Sequence, residues 1–95
     1  MRLRYTLLAL ADLAMILDYI ADRSPQGAGR VHARIRTLTD LLQRYPKAGA
    51  LTEDPNIRRI ATTPYPYLIL YEATVDEIVI HAVRHGARDA YNDPE

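Results

Sequence analysis

The chain has no cysteine. Disulfide staples, thiolate nucleophiles and cysteine-held metals are therefore excluded. It also lacks tryptophan and phenylalanine, so all seven aromatic residues are tyrosines. A tyrosine ring has an apolar body and a polar tip, which suits half-buried strands and binding surfaces. Net charge is missing too, because twelve Lys and Arg balance twelve Asp and Glu. A broad footprint for nonspecific nucleic-acid binding needs a basic excess, which this composition does not supply. Lysine itself occurs once, as Lys47, and the other cations are arginines. Arginine's planar fork favours bidentate partners such as carboxylate and phosphate. Long apolar runs are absent. Leu7 to Ile20 is broken by Asp12 and Asp18, which leaves it too short and too charged to span a membrane. It has no small-residue cleavage pattern of a secretory signal, so the expected compartment is the cytoplasm. No Gly-rich phosphate loop, nucleophile elbow or paired-carboxylate signature is present, and no cofactor is expected.

What is there fits one domain over residues 1–95, with 89–95 as a loose polar tail. A domain this small buries only about 60–65% of its unfolded surface, so a bound partner could supply much of its working stability. Arg2-Leu3-Arg4-Tyr5 alternates polar and apolar, the pattern of a short strand. Thr6 is a helix N-cap, and Leu10, Leu13, Ile16, Leu17 and Ile20 recur at helical spacing up to about Asp22. Ser24-Pro25 restarts the chain as cap and first helical position. Gly27 and Gly29 weaken that first turn and predict a start a few residues later. The stripe Ala28, Val31, Ile35, Leu38, Leu42 and Tyr45 defines the second helix, with Asp40 and Arg44 as a favourable i, i+4 pair. Pro46 and Gly49 end it. The short connection makes the helices an antiparallel hairpin.

Residues 48–56 read as a polar connection, and 57–63 as a strand stopped by Pro64 and Pro66. Tyr67 to Ala73 and Glu77 to Arg84 form an antiparallel pair joined by a short turn. The expected fold is α+β, in the order βααβββ, with the helix hairpin packed on one face of a small antiparallel sheet.

Chemistry-bearing residues are few. His81 and His85 are four strand positions apart, about 13 Å, so one metal ion cannot take both, and no metal site is expected. His32 lies beside the stripe of the second helix and reads as a partly buried or surface residue. His85 ends the last strand beside Arg84 and near Arg88, where it could act as a general acid or base. Arg58 and Arg59 fall on opposite faces of their strand, and the sequence leaves open which one faces outward. With Arg84 and Arg88 they could form a local cationic patch. The sheet face and grooves left open by the helices could take an amphipathic peptide.

These pieces, in order, resemble the ParE/RelE superfamily of bacterial toxins from Leu3 to Arg88. The first helix, with Ala11-Asp12-Leu13, Ile16 and Tyr19-Ile20, is similar to the family's opening. Leu41-Leu42 with Tyr45-Pro46-Lys47-Ala48-Gly49 resembles its helix end. Arg58 or Arg59 followed by Tyr67-Leu68-Ile69-Leu70-Tyr71 resembles its central strand pair. Glu77-Ile78-Val79-Ile80 through Val83-Arg84-His85-Gly86-Ala87-Arg88 resembles its close. The resemblance implies the toxin of a type II toxin–antitoxin module, neutralised by a cognate antitoxin whose C-terminal segment wraps around it. In the ParE branch such a toxin inhibits DNA gyrase by binding. In the RelE branch it cleaves mRNA in the ribosomal A site with clustered polar side chains. The closing His-Gly-x-Arg, the neutral charge and the single lysine favour ParE. Arg58, Arg59, Tyr67, Tyr71, Arg84 and Arg88 are then candidates for target or antitoxin binding. Under the nuclease alternative, Arg59, Arg84, His85 and Arg88 take phosphate and acid/base roles, with Tyr91 nearby.

Overall fold

The computed structural model describes residues 1–86. Arg88, Tyr91 and the tail 89–95 lie outside the described residues. The elements are β1 (Arg2–Tyr5), α1 (Leu7–Ala21), α2 (Pro25–Arg44), β2 (Ala50–Leu51), β3 (Arg58–Ala61), β4 (Tyr67–Ala73) and β5 (Glu77–His85).

Both helices start where their caps dictate. The Thr6 hydroxyl accepts from the Ala9 N–H at 3.1 Å, and the Ser24 hydroxyl accepts from the Gly27 N–H at 3.0 Å. Each satisfies one amide left over in a first turn. With Ser24 capping and Pro25 pre-set at the first position, α2 begins at Pro25. The two glycines do not delay it as expected. The last turn of α2 closes with the Tyr45 N–H on the Leu41 carbonyl at 2.8 Å, and Pro46 follows.

The sheet has the order β1-β5-β4-β3-β2. β2 to β5 pair antiparallel, as expected for a helix hairpin on an antiparallel sheet. β1 departs from this, because it runs parallel to β5, with Arg2 opposite Glu77 and Tyr5 opposite Ile80. Parallel neighbours need a long crossover, and the chain between these strands provides it. β2 lies inside the expected loop. It is only two residues long, and its pairing with Arg58 and Arg59 carries it.

The helix-facing side of the sheet presents Ile69, Tyr71, Ile78, Ile80 and Val83, packed against Ala9, Val31, Ile35, Leu38 and Leu42. Burying one such side chain contributes about 1.5–3 kcal/mol. The α2 stripe holds from Val31 to Leu42, while Tyr45 at its end is exposed. On α1 the fully buried residue is Ala9, and Leu10, expected inside, is 48% exposed. α1 sits close to the sheet through its small Ala9, so Leu10 falls at the margin.

Candidate partner-docking groove

β1 ends at Tyr5, opposite Ile80, but β5 continues to His85. Beyond Ile80 the edge of β5 meets α1 instead of a strand. The Thr6 hydroxyl donates to the His81 carbonyl at 3.3 Å. The Asp12 carboxylate accepts from the Val83 N–H at 3.1 Å. The side chains of the α1 cap Thr6 and of Asp12 within α1 thus satisfy strand-edge groups that would otherwise stay unpaired.

The same stretch carries a β-bulge. Tyr71 is opposite Ile80 and Leu70 is opposite Ala82, so His81 has no counterpart. An extra residue shifts the period-two alternation by one. Ile80 and Val83 therefore both face the core. His81 points to the other side of the sheet, where its ring nitrogen lies 3.0 Å from Glu72. His85, two residues after Val83, returns to the helix side. There its ring stands edge-on to Tyr67, with centroids 5.7 Å apart and an interplanar angle of 85°.

The result is a groove of about 410 Å³ between α1 and the end of the β4–β5 hairpin, lined by Met15, Ile16, Tyr19, Tyr67 and His85. A second hollow of about 250 Å³ shares Met15, Ile16 and His85, and is completed by Asp12, Val83 and Arg84. α1 forms one wall and carries an unusual outer surface. Leu7 is 86% exposed, Met15 70% and Tyr19 58%, with Leu8 also exposed. Leu8, Met15 and Tyr19 are spaced by seven and four, so they share one face of the helix. The Arg23 guanidinium lies 3.8 Å from the centre of the Tyr19 ring and donates to the Tyr19 carbonyl at 2.9 Å. This holds the ring at the rim by a cation–π contact. A contiguous apolar stripe beside a groove fits an apolar partner segment.

The candidate residues named from the sequence separate into three groups. Tyr67 and His85 line the groove, and Arg84 borders the adjoining hollow. Arg58 and Tyr71 tie down the connection that follows α2. Arg58 donates to the Gly49 carbonyl at 2.8 Å and more weakly to that of Lys47 at 3.4 Å. Tyr71 is completely buried, so it is not a binding candidate. Its hydroxyl donates to the Pro46 carbonyl and accepts from the Gly49 N–H, both at 2.8 Å. Burial pushes its phenol pKa up, against smaller opposing effects of the Gly49 N–H and the Arg58 charge. Arg59 and Arg84 pair with Leu70 and Leu68. By register both positions alternate to the sheet face away from His85, although Arg84, at the strand end, still borders the hollow that His85 shares. The set Arg59, Arg84 and His85 is not gathered on one face of the described sheet.

Asp12, Met15, Ile16, Tyr19 and the α1 surface did not enter the sequence reading as site residues. The available signal was that α1 is apolar outside its inner stripe as well, at Leu7, Leu8 and Met15. A helix apolar nearly all round marks a second contact surface. Among the described residues no acidic or histidine cluster could hold a metal ion, and no helix is long and apolar enough to cross a membrane.

Known proteins share this architecture. The family model of the ParE toxin of the type II toxin–antitoxin system parDE matches residues 3–90. The chain is 39% identical over 84 residues to the toxin RelE2 of Caulobacter vibrioides, covering 88% of this chain and 93% of that protein. It also superposes on a solved structure of the chromosomal ParDE toxin–antitoxin system of P. aeruginosa. That match has a TM-score of 0.76 and 27% identity, and covers 90% of this chain and 95% of the other.

Proposed function

The chain belongs to the ParE toxin family of type II toxin–antitoxin systems, and from that footing we propose that it is a cytoplasmic toxin that inhibits DNA gyrase by protein–protein binding. A cognate antitoxin neutralises it by laying an apolar segment along α1 and into the groove ending at Tyr67 and His85. The observation that carries this reading is the groove with its exposed stripe of Leu8, Met15 and Tyr19. A soluble monomer gains nothing by exposing such a stripe, whereas a partner helix gains burial from it.

The chemistry of the groove supports binding over catalysis. His85 lies among Met15, Ile16, Tyr19 and Tyr67. Phosphoryl chemistry needs cations aimed at the charge that develops on the phosphate. Of the described cations of the nuclease alternative, Arg59 falls on the other sheet face, and Arg84 reaches only the adjoining hollow rather than the groove itself. The name of the Caulobacter relative keeps ribosome-dependent mRNA cleavage as the competing reading.

A supercoiling assay with purified gyrase tests the proposal. The chain is expected to block supercoiling, and an excess of its cognate antitoxin is expected to restore it. Undisturbed supercoiling at saturating toxin would rule the gyrase reading out.

A further inference from the structure

The helix hairpin shows two unlike surfaces. α1 contains two aspartates and no cation, and carries the apolar stripe. α2 contains Arg30, Arg34, Arg36 and Arg44 with one acid, Asp40, a net of three positive charges. At 3.6 residues per turn Arg30, Arg36 and Arg44 fall within the half of α2 turned away from Val31, Ile35 and Leu42, with Arg34 at its margin. They are spread over 14 residues, or about 21 Å of helix. Arg34 is steadied by its Nε donating to the Thr63 carbonyl at 2.9 Å, which leaves its terminal nitrogens for other partners. Arg30, Arg36 and Arg44 make no ion pair among the described residues, whereas Arg2 and Arg4 pair with Asp76 and Glu77. Asp40 and Arg44, expected as a pair, do not come within ion-pairing distance.

We propose that the outer face of α2 is a phosphate-binding ridge that seats the sugar–phosphate backbone of a duplex nucleic acid. The absence of apolar surface argues for this occupant over a protein. None of the exposed large apolar residues lies on α2. Protein interfaces have an apolar centre, and α1 has one, whereas nucleic-acid interfaces are polar and positive. Every cation of the ridge is an arginine, the side chain that grips phosphate bidentately. The zero net charge of the chain keeps the interaction weak, of the nonspecific kind. The ridge is separate from the α1 groove, so it stands or falls independently of the antitoxin and gyrase readings.

Fluorescence anisotropy of the purified chain with labelled DNA and RNA duplexes of about 25 base pairs tests the inference. Four phosphate contacts give a salt slope of about −3.6, so affinity is expected to fall roughly 100-fold between about 50 and 200 mM salt. The triple variant Arg30→Ala, Arg36→Ala and Arg44→Ala is expected to reduce the slope to about −1 and weaken low-salt binding more than tenfold. These exposed positions accept alanine, the best helix former. Gly29→Glu supplies a second probe, because a Cβ there meets nothing within 4 Å. It is expected to weaken binding several-fold while Gly29→Ala does not. A preference for one duplex supports the ridge and names the nucleic acid. Unchanged duplex binding by the triple variant would overturn the inference. So would arginine-dependent binding of polyglutamate without duplex binding, which would assign the ridge to an acidic protein segment.

Discussion

The carboxylate of Asp12, in the second turn of α1, accepts a hydrogen bond from the Val83 backbone N–H of β5 at 3.1 Å. It takes the place of a strand where β1 has run out, and it fixes α1 beside the bulged end of the hairpin. Asp12→Ala leaves that amide without its partner. The expected cost is about 1–3 kcal/mol, with Asp12→Asn closer to the parent chain because it keeps an acceptor. Urea unfolding of the three proteins measures this.

Met15 and Tyr19 stand at the rim of the groove, 70% and 58% exposed. Met15→Asp and Tyr19→Asp are expected to leave unfolding midpoints almost unchanged. They are expected to weaken antitoxin binding at least thirtyfold, the size of effect seen when an interface anchor is lost. Calorimetric titration with the cognate antitoxin checks this, and unchanged affinity in both variants would place the antitoxin elsewhere.

Gly49 and Tyr71 fit together so closely that a Cβ on Gly49 would lie 2.6 Å from a ring carbon of Tyr71 and 2.7 Å from the Arg59 carbonyl. Gly49→Ala is expected to cost about 1–3 kcal/mol by overpacking. Tyr71→Phe removes the hydroxyl shared by Gly49 and Pro46 and is expected to cost a similar amount, for a different reason. The double variant should not cost the sum, because both changes act on one contact. Denaturant midpoints of the two single variants and the double variant decide this.

Alkali should unfold this protein through its tyrosines. Burial raises the phenol pKa of Tyr5 and of Tyr71 above the ordinary value of 10.0. The folded chain thus holds these protons more tightly than the unfolded chain. The stability they contribute is complete below about pH 10 and is lost as pH rises through the folded values. Unfolding free energies measured at about pH 8, 10 and 11 should fall across the upper interval. The fall should be smaller in Tyr5→Phe.

Local signals carried much of this architecture into the sequence. Thr6 marked the first helix start and Ser24-Pro25 the second, although Gly27 and Gly29 argued for a later one; the α2 stripe marked its buried face, and the last two strands read directly from their β-branched runs. The parallel placement of β1 was not legible, because four alternating residues say nothing about a partner some seventy positions away. The bulge at His81 was equally silent, since no glycine marks it. That bulge decides which face His85 takes, and so decides the site. Tyr71 read as a binding tyrosine because its buried partners, Pro46 and Gly49, are remote in the chain. The groove was half legible, in Tyr67 and His85. The α1 half was hidden because Leu7, Leu8 and Met15 look like core residues until the sheet has taken its side of the helix.

The central claim is that this groove docks protein and does not cut RNA. The most direct measurement compares the parent chain with His85→Ala in two assays, gyrase supercoiling and cleavage of mRNA on translating ribosomes. No A-site cleavage is expected from either protein, and both are expected to inhibit supercoiling at concentrations within about threefold of each other. A-site cleavage by the parent chain that disappears in His85→Ala would contradict that claim.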